Sequence, residues 1–507
     1  MNQPIRNQFN RFEAALEGVI QVESAEDFLK EIPVKYFRRL VQTSILTVLA
    51  TCMGCLDETD GTFSAKVNNS DQQVVVNSDP SSLGLLSEGE ILTPIAVEQF
   101  TAQSVRSSEQ RLGTVFEDSS IRWKLAPEIT EIQLPEVDFE HAIWGATGRD
   151  DYGNVYFGIS CFGDEASAAL CRLSPGRESA TFAGDTLANL RRLRIASESM
   201  TQMKIHTKPV QGDDGYVYFA SMDEQGETED GSRLPIYGSN LWRVPVSANQ
   251  TSETVSQWEH LLAIPEAIVA TGCTGRYVYA LGYYQHILYQ YDTETAAVQK
   301  IQVGSSGGHI SRNLIVDLEE HAYVPRVILR GEGNYIVQLI EYDDQMKEVA
   351  SHPIDDYGAT SDFSSHGITG FAFLKNGDCL FTTSKGALYR LRTNGEKPSS
   401  VERLGWFHPK GESYASFLCS PDGELTLCGI ATCEGETHWV VYDLEQWRGE
   451  VIALKASAQN ILGRDRVLFY GSNTRDDDGS AFVTGWHYLS ESNRYLPYAA
   501  HVRWPEQ

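Results

Sequence analysis

The feature that most constrains the fold is a short turn followed by a β-branched and aromatic strand, which recurs seven times after residue 120. The motif reads DDYGNVYFG from Asp150 and GDDGYVYFA from Gly212, and five related segments follow. We place the turns at Gly153, Gly215, Gly275, Glu320, Gly377, Gly423 and Asp465. Successive turns lie 42 to 62 residues apart. Such a period is typical of repeat folds, in which each unit buries its core against its neighbours.

The segments after the turns alternate between apolar and polar residues, as in NVYFG and ALYRL, which indicates strands rather than helices. Asp-Gly and Asn-Gly pairs supply the positive φ that tight hairpin turns require. Four strands in each of seven units predict an all-β, seven-bladed β-propeller over residues 121–507. We expect the strand-like segment IRWKLAPEITEIQLP, from Ile121, to pair with the last blade and close the ring, which removes exposed sheet edges.

The blade pattern combines a DG-x-h-Y turn with an L-Y-x-h-D strand, where h is apolar. It resembles the superfamily of seven-bladed propellers that includes streptogramin lyases and NHL-repeat proteins. The resemblance covers residues 120–507 and implies a fold without a function, because propellers host many unrelated activities. Two insertions, between Met222 and Asn240 and between Pro353 and Ser365, are the loops expected to select a ligand.

The net charge of −28 excludes nucleic acid and anionic lipid surfaces as main partners, since both require a basic face. With 41% hydrophobic and 22% charged residues, the chain has enough apolar side chains for a large core. We expect a monomer whose partner is a small molecule, a glycan or a protein.

Nine cysteines occur without a paired C-x-x-C spacing, which argues against a structural zinc site. Cys161 with Cys171 and Cys419 with Cys428 are placed to face each other across predicted hairpins. An oxidising compartment would permit disulfides there, and buried free thiols are the alternative. The segment TRDDDGS, from Thr474, has oxygen ligands enough for calcium, although a solvated hairpin tip is the interpretation that we favour.

An export signal is predicted near the N-terminus. The basic segment VKYFRR, from Val34, leads into a mostly apolar stretch that ends at Gly54 and Cys55. About 7–15 apolar residues after a basic segment suit a signal peptide, whereas a membrane-spanning helix needs about twenty. Residues 34–55 resemble a bacterial lipoprotein signal. The resemblance implies that Cys55 is lipidated, with Cys52 after Leu49-Ala50-Thr51 as the other option. It also implies that the protein is exported, with this anchor as its only contact with the membrane of the cell envelope.

This signal begins 33 residues into the chain. A translation start at Val34 would explain this late position, because some bacterial valine codons can initiate translation. Residues 1–33 are then a misassigned start or a disordered extension. Residues 56–120 are rich in Ser, Gln, Asp and Glu with little periodicity, which predicts a flexible acidic linker. The alternative for Tyr36–Met53 is a buried helix of an N-terminal helical domain.

Propeller ligands bind at the central channel, which the innermost strand of each blade lines. Histidines precede four of the turns by nine to twelve residues: His141, His206, His309 and His366. Glu266 and Glu412 hold comparable positions in two other units. Matched positions in a closed ring point at one axis, so we expect these side chains to form a site for a divalent metal, Mn, Fe, Zn or Ni. The alternative is that the histidines cap inner strands and bond to the backbone.

The segment GGHISRNLIVDLEEHAYVPRV, from Gly307, is the most distinctive in the chain. Strand alternation places Asn313 on the face opposite Arg312. Arg312, Asn313 and Arg326 are predicted to bind ligand, because a guanidinium clamps an anionic group with two hydrogen bonds. The alternative for both arginines is pairing with some of the 69 acidic residues.

Two functions remain open. The first is an envelope-anchored propeller that binds a small molecule, a glycan or a protein at its central-channel face. The second is a metal-dependent lyase or hydrolase acting on an anionic, uronate-like substrate, in which the metal polarises a carbonyl or activates water. We favour binding, because the sequence contains no complete G-x-S-x-G, P-loop or Rossmann motif.

Overall fold

The computed structural model describes residues 127–503, apart from 139, 164–165, 198, 227, 229–232, 247–257, 284, 307–310, 331–333, 359–366, 394–397, 435, 447, 453–465, 471–473 and 490–493. The predicted extension, signal and linker (residues 1–33, 34–55 and 56–120) lie outside the described residues. Cys55 therefore stays a predicted lipidation site.

An aspartate fixes the turn that opens each of several blades. Asp150 accepts hydrogen bonds from the backbone N–H of Asn154 (2.9 Å) and from the hydroxyl of Tyr156 (2.9 Å), which lies on the strand after the turn. The same bond joins Tyr323 to Asp317 (2.8 Å), and in blade 2 a tyrosine–aspartate bond with a shorter spacing joins Tyr218 to Asp214 (2.6 Å). A buried hydroxyl without a partner costs about 1–3 kcal/mol, which explains why the repeat keeps the two residue types together.

Positive φ angles confirm most of the predicted turn positions. They occur at Gly153 (79°), Gly215 (77°), Glu320 (64°), Gly377 (88°) and Gly423 (69°). Glu320 thus adopts a left-handed conformation that glycine adopts at the matched positions, and its carboxylate accepts a hydrogen bond from Tyr277 N (2.9 Å) in the neighbouring blade.

The strands that follow these turns form seven antiparallel sheets. Blade 1 comprises β2 (Glu140–Ala142), β3 (Thr147–Arg149), β4 (Val155–Cys161), β5 (Ala169–Leu173) and β6 (Thr181–Asp185), followed by helix α1 (Thr186–Arg192). Blade 2 comprises β7 (Lys204–Ile205), β8 (Val210–Gln211), β9 (Tyr216–Met222), β10 (Ser239–Pro245) and β11 (Glu259–Ile264). Blade 3 comprises β12 (Ile268–Cys273), β13 (Tyr277–Gly282), β14 (Ile287–Asp292) and β15 (Val298–Gln302).

The remaining blades follow the same order. Blade 4 comprises β16 (Ile315–Val316), β17 (Ala322–Leu329), β18 (Tyr335–Tyr342) and β19 (Glu348–Pro353). Blade 5 comprises β20 (Ile368–Phe373), β21 (Cys379–Thr383), β22 (Ala387–Arg392) and β23 (Ser400–Trp406). Blade 6 comprises β24 (Tyr414–Cys419), β25 (Thr426–Cys433), β26 (Glu436–Asp443) and β27 (Arg448–Ile452). Blade 7 comprises β28 (Arg466–Phe469), β29 (Thr474–Arg475), β30 (Ala481–Leu489), β31 (Arg494–Arg503) and, from the start of the chain, β1 (Glu128–Glu131).

Ring closure by the first strand is confirmed. β1 pairs antiparallel with β31 from Glu128 opposite Arg503 to Glu131 opposite Ala500, and so forms the outermost strand of the last blade. Ile129 thereby enters an apolar cluster shared by blades 6 and 7. The fold is therefore the predicted all-β, seven-bladed propeller. Within the described part of the chain, no helix is long and apolar enough to cross a bilayer.

The predicted turn of the seventh blade is wrong by one strand. Asp465 lies outside the described residues, and it precedes β28, which is an innermost strand. The turn equivalent to the other blades lies at Gly479, with φ of 87°, between β29 and β30. The segment TRDDDGS is thus the hairpin tip that we favoured. Arg149 of blade 1 bonds there to Asp476 (2.9 Å) and Asp477 (2.6 Å).

Candidate ligand-binding site in the axial channel

The innermost strand is broken into two short pieces in three consecutive blades, 7, 1 and 2. In blades 1 and 2, four residues of the inner strand, 143–146 and 206–209, lie opposite two residues of the next strand. In blade 7, β28 ends at Phe469 and β29 begins at Thr474. Two extra residues make a bulge, and bulges re-aim side chains next to functional sites. The inner strands of blades 3, 5 and 6 are continuous.

The three breaks hold side chains at one common distance from their turns. Trp144, His206 and Tyr470 each lie nine residues before the turn glycine of their blade, at Gly153, Gly215 and Gly479 respectively. The sequence alone already places His206 at this distance of nine residues from its turn. Trp144 and Tyr470 lie at the same distance from their turns. Tyr470 was not recognised because the turn of blade 7 had been predicted at Asp465 instead of Gly479.

The break in blade 2 is anchored on both sides. The Thr207 hydroxyl accepts a hydrogen bond from Ala220 N (2.8 Å) and donates to Ala220 O (3.2 Å), in place of strand pairing. The Thr271 hydroxyl of blade 3 donates to the carbonyl of Lys208 (2.5 Å). On the other side, a Cβ at Gly148 would lie 1.7 Å from the carbonyl oxygen of Pro209, so only glycine allows this approach.

The side chain of Lys208 reaches across the ring. Its Nζ lies 5.2 Å from the centre of the Phe371 ring, on the inner strand β20 of blade 5. Blades 2 and 5 stand three places apart, which is the greatest separation in a ring of seven. The amine therefore lies in the central channel. Burial lowers the pKa of Lys208 to about 8.

Arg312 crosses the same channel from another direction. Its guanidinium carbon lies 3.4 Å from the centre of the Tyr470 ring, and blades 4 and 7 are again three places apart. Its Nη1 lies 3.2 Å from Nε2 of His206 in blade 2. Arg312 is 8% exposed, so this cation and the ring beneath it interact with little screening by water.

The hydrogen bonds of His206 fix its tautomer. Nδ1 lies 3.0 Å from the carbonyl oxygen of Val269, which can only accept, so the proton is on Nδ1. Nε2 then accepts from the guanidinium of Arg312. In this arrangement His206 is a neutral imidazole that bonds to the backbone and orients a cation.

Aromatic rings form the wall beside Arg312. Tyr470 packs at 5.0 Å from both Trp144 and Trp486, and the two indoles lie 4.7 Å apart. Among the described residues, no hydrogen-bond acceptor lies within reach of the buried indole N–H of Trp144. Lys204 Nζ lies 5.1 Å from the Trp144 ring and bonds to Glu224 (2.6 Å).

His141 belongs to this wall rather than to the cluster around His206. Its ring packs against Phe162 (4.4 Å), Tyr495 (5.2 Å) and Trp144 (6.2 Å). Burial, together with the charge of Lys204, lowers the pKa of His141 to about 3, so the imidazole is neutral at physiological pH.

The other predicted ligand-binding residues are tied into the blades. Asn313 is 3% exposed and donates from Nδ2 to the carbonyl of Ile368 (3.0 Å) in blade 5. Arg326 forms two hydrogen bonds with Glu348 (2.6 and 3.1 Å), which is the acidic pairing considered as the alternative.

The two predicted carboxylates lie apart from each other. Glu266 is fully buried and accepts hydrogen bonds from Gln285 N (2.9 Å) and the Tyr289 hydroxyl (3.2 Å). Glu412 is exposed and pairs with Lys385 (3.2 Å). His309 and His366 lie outside the described residues. Over the described ranges, no group of three or more His, Cys, Asp or Glu side chains is placed to hold a metal ion.

Sequence reasoning missed the residues that dominate the channel: Lys208, Phe371, Trp144, Tyr470 and Trp486. It considered only histidines and carboxylates at the matched positions. The common distance of nine residues from the turn would have revealed Trp144, and also Tyr470 once the last turn was placed at Gly479.

No family model matches the chain, and no curated protein matches it significantly. Solved structures match at the level of fold. YCF48 bound to D1 peptide has 11% identity and a TM-score of 0.44, with 78% of this chain and 98% of that chain covered. Hydrazine synthase of Kuenenia stuttgartiensis has 11% identity and a TM-score of 0.41, with 72% and 97% covered. A protein of unknown function from Dyadobacter fermentans has 10% identity and a TM-score of 0.40, with 75% and 98% covered. At these values no property of those proteins transfers to this chain.

Proposed function

We propose that this propeller binds an anionic ligand in its axial channel, with Lys208 and Arg312 as the cationic groups. The observation that carries the proposal is that both side chains cross the axis and end at aromatic rings of the blades farthest from their own. Two cationic side chains that enter one channel from different directions favour a negatively charged ligand over a neutral one.

The surroundings strengthen this preference. A guanidinium has five N–H donors, so Arg312 can bond to His206 and to a carboxylate or phosphate at the same time. The low dielectric of the buried channel makes each charge–charge contact stronger than it would be in water. The net charge of the chain is −28, so most of the protein surface repels anions. An anion therefore interacts more favourably with the channel than with the rest of the surface.

Thermal denaturation with paired ligands tests the proposal. D-galacturonate, citrate and inorganic phosphate are compared with neutral D-galactose, on the wild type and on Lys208→Gln and Arg312→Gln. At least one anion should raise the Tm, galactose should not, and added salt should reduce the shift. Each variant should lose most of the shift, while Lys300→Gln, on the exposed outer strand β15, should keep it. A shift that galactose equals, or that both channel variants retain, would contradict the proposal.

The ligand belongs to one of the three classes expected from the sequence, a small molecule, a glycan or a protein, and its acidic group is the part that the channel recognises. Because Lys208 and Arg312 are both partly or largely buried, we propose a small acid or the acidic terminus of a larger partner.

A metal-dependent lyase or hydrolase is the alternative function. It requires His309 and His366 to join His141 and His206, and the first two lie outside the described residues. Metal analysis of purified residues 56–507 decides between the two functions, since the binding proposal needs no metal.

We further propose that the propeller is exported and anchored in a bacterial envelope through Cys55. The support is the order of basic, apolar and Gly-Cys residues from Val34 onward. Lipidation would leave residues 56–120 as the tether between the anchor and the first strand.

A further inference from the structure

We infer that Lys208 forms an imine with a carbonyl group of the channel ligand, which makes the ligand class an oxo acid. The inference rests on the proposed function, which supplies the anionic group of the ligand, and it adds a covalent bond between the ligand and Lys208.

The backbone around Lys208 is built to present one side chain. Residues 206–209 bulge from the inner strand, and contacts on both sides hold them: Thr207 to β9, Thr271 to the Lys208 carbonyl and Gly148 against Pro209. With the backbone fixed by neighbouring blades, the amine enters the channel at a defined place, 5.2 Å from the Phe371 ring centre. A nucleophile needs this kind of fixed approach to its target.

The channel also changes the amine itself. Burial lowers the pKa of Lys208 to about 8, so roughly one amine in ten is neutral at pH 7, against fewer than one in a thousand for an ordinary lysine. Desolvation is one way in which a lysine amine becomes an imine-forming nucleophile.

Imine formation needs no oxidant or reductant. The nitrogen lone pair attacks the carbonyl carbon, the C–N bond forms as the C=O π bond breaks, and one N–H proton passes to the oxygen to give a carbinolamine. The carbinolamine then breaks its C–O bond: the hydroxyl group leaves with the second N–H proton as water, and the nitrogen lone pair forms the C=N bond. The net change is one amine and one carbonyl converted to one imine and one water.

The neighbouring cation defines the other half of the ligand. Arg312 bonds to Nε2 of His206, and His206 lies two residues before Lys208 on the same bulge. A carboxylate bound by Arg312 would share the channel with the amine, and a ligand that carries both a carboxylate and a carbonyl, such as a 2-oxo acid or an aldehyde acid, offers one group to each of the two side chains.

Trapping with glyoxylate, the simplest aldehyde acid, tests the inference. The purified protein is incubated with glyoxylate and cyanoborohydride, and peptide mass mapping locates lysines that gain a carboxymethyl group. Lys208 should be modified about tenfold faster at pH 7 than exposed Lys300, because its larger neutral fraction outweighs its weaker intrinsic nucleophilicity. The rate at Lys208 should rise with pH and level off above about pH 8.

Two variants separate covalent from ionic binding. Lys208→Arg keeps the charge, so glyoxylate should still raise the Tm, but the adduct at position 208 disappears and the total adduct falls. Arg312→Gln should slow trapping of glyoxylate at Lys208 while leaving trapping of neutral propionaldehyde unchanged.

The outcomes distinguish this inference from the proposed function. If glyoxylate raises the Tm but Lys208 is modified no faster than Lys300, the imine is overturned and anion binding stands. If propionaldehyde and glyoxylate trap Lys208 equally fast and salt has no effect, the amine reacts as inferred, but the oxo-acid class and the proposed anion binding are both overturned. If glyoxylate neither shifts the Tm nor modifies Lys208, the inference is overturned together with anion binding for this class.

Discussion

Replacing Glu341 with glutamine should weaken the contact between blades 4 and 5. Glu341 is fully buried on β18 and accepts hydrogen bonds from His321 Nδ1 (2.7 Å), Ser399 Oγ (2.6 Å) and Ser399 N (3.0 Å). Ser399 precedes the outer strand of blade 5, so one carboxylate joins two blades. Glutamine has the same shape, but its NH₂ group would face donors instead of accepting from them.

The size of the effect follows from the loss of a buried charged group. Removing one partner of such a network costs about 3–5 kcal/mol, and we expect about 3 kcal/mol because the amide keeps one acceptor. The entropy of unfolding is about 2.1 cal/mol/K per residue, so for roughly 380 residues the Tm should fall by about 4 °C. Glu424→Gln is the matched control, since that carboxylate pairs with Lys375 at the exposed surface (3.0 Å) and should contribute less than about 1 kcal/mol.

The pH dependence gives a second readout. Burial raises the pKa of the Glu341 carboxyl, but hydrogen bonds from His352, Ser399 and His321 outweigh burial and hold the pKa well below its usual range. The folded-state pKa is therefore below the unfolded value of about 4.3, so the stabilisation is complete above that pH and is lost as the pH falls. Calorimetry should show the gap in unfolding free energy between wild type and Glu341→Gln narrowing by about 1 kcal/mol from pH 7 to pH 3.5. A Tm within about 1 °C of wild type at pH 7, or a gap that does not narrow, would refute this reasoning.

Three further outcomes are expected. Deleting residues 121–135 should expose the edge of β31 and cause aggregation, measured by light scattering, and a soluble, fully folded product would contradict closure by β1. When the protein is expressed with its signal in a bacterium, it should partition into the detergent phase, and Cys55→Ser should release it from the membrane fraction. Recovery of the wild type in the cytosol with residues 1–33 still attached would contradict the anchor hypothesis. Gly148→Ala should cost about 2–3 kcal/mol by its clash with Pro209, read from urea unfolding, and an unchanged midpoint would show that the blades move apart easily.

The fold could be predicted because its turns are local. Gly153, Asp150 and Tyr156 act within seven residues of each other, so their spacing is visible in the sequence. The turn of the last blade was predicted wrongly because β28 (Arg466–Phe469) resembles in composition the apolar strand that follows the turn in the other blades. The true turn at Gly479 looked like an isolated acidic hairpin, since its aspartates pair with Arg149, far away in the chain.

The channel could be predicted only in part, because its contacts join distant segments. Counting back from the turns located His206 correctly on an inner strand, but nothing in the sequence marks the two extra residues that turn Lys208 toward the axis. The partner of Arg312 is an aromatic ring 158 positions away, on a blade whose register had been misplaced. The hydrogen bonds of Arg326 to Glu348 show the opposite case, in which a distinctive arginine pairs within its own blade.

A matched position does not by itself direct a side chain to the axis. Glu266 lies nine residues before Gly275, as His206 lies before Gly215, yet Glu266 is fully buried and bonds to Gln285 and Tyr289 within its own blade. The difference is in the strands: β12 is continuous after Glu266, whereas the inner strand of blade 2 breaks at His206. In blade 2 the break therefore gives the matched position access to the channel, and the continuous strand of blade 3 does not. Blades 7, 1 and 2 carry the breaks, and Arg312 and Phe371 approach from blades 4 and 5, so the candidate ligand site lies between the broken inner strands and the side chains that reach it from the opposite blades.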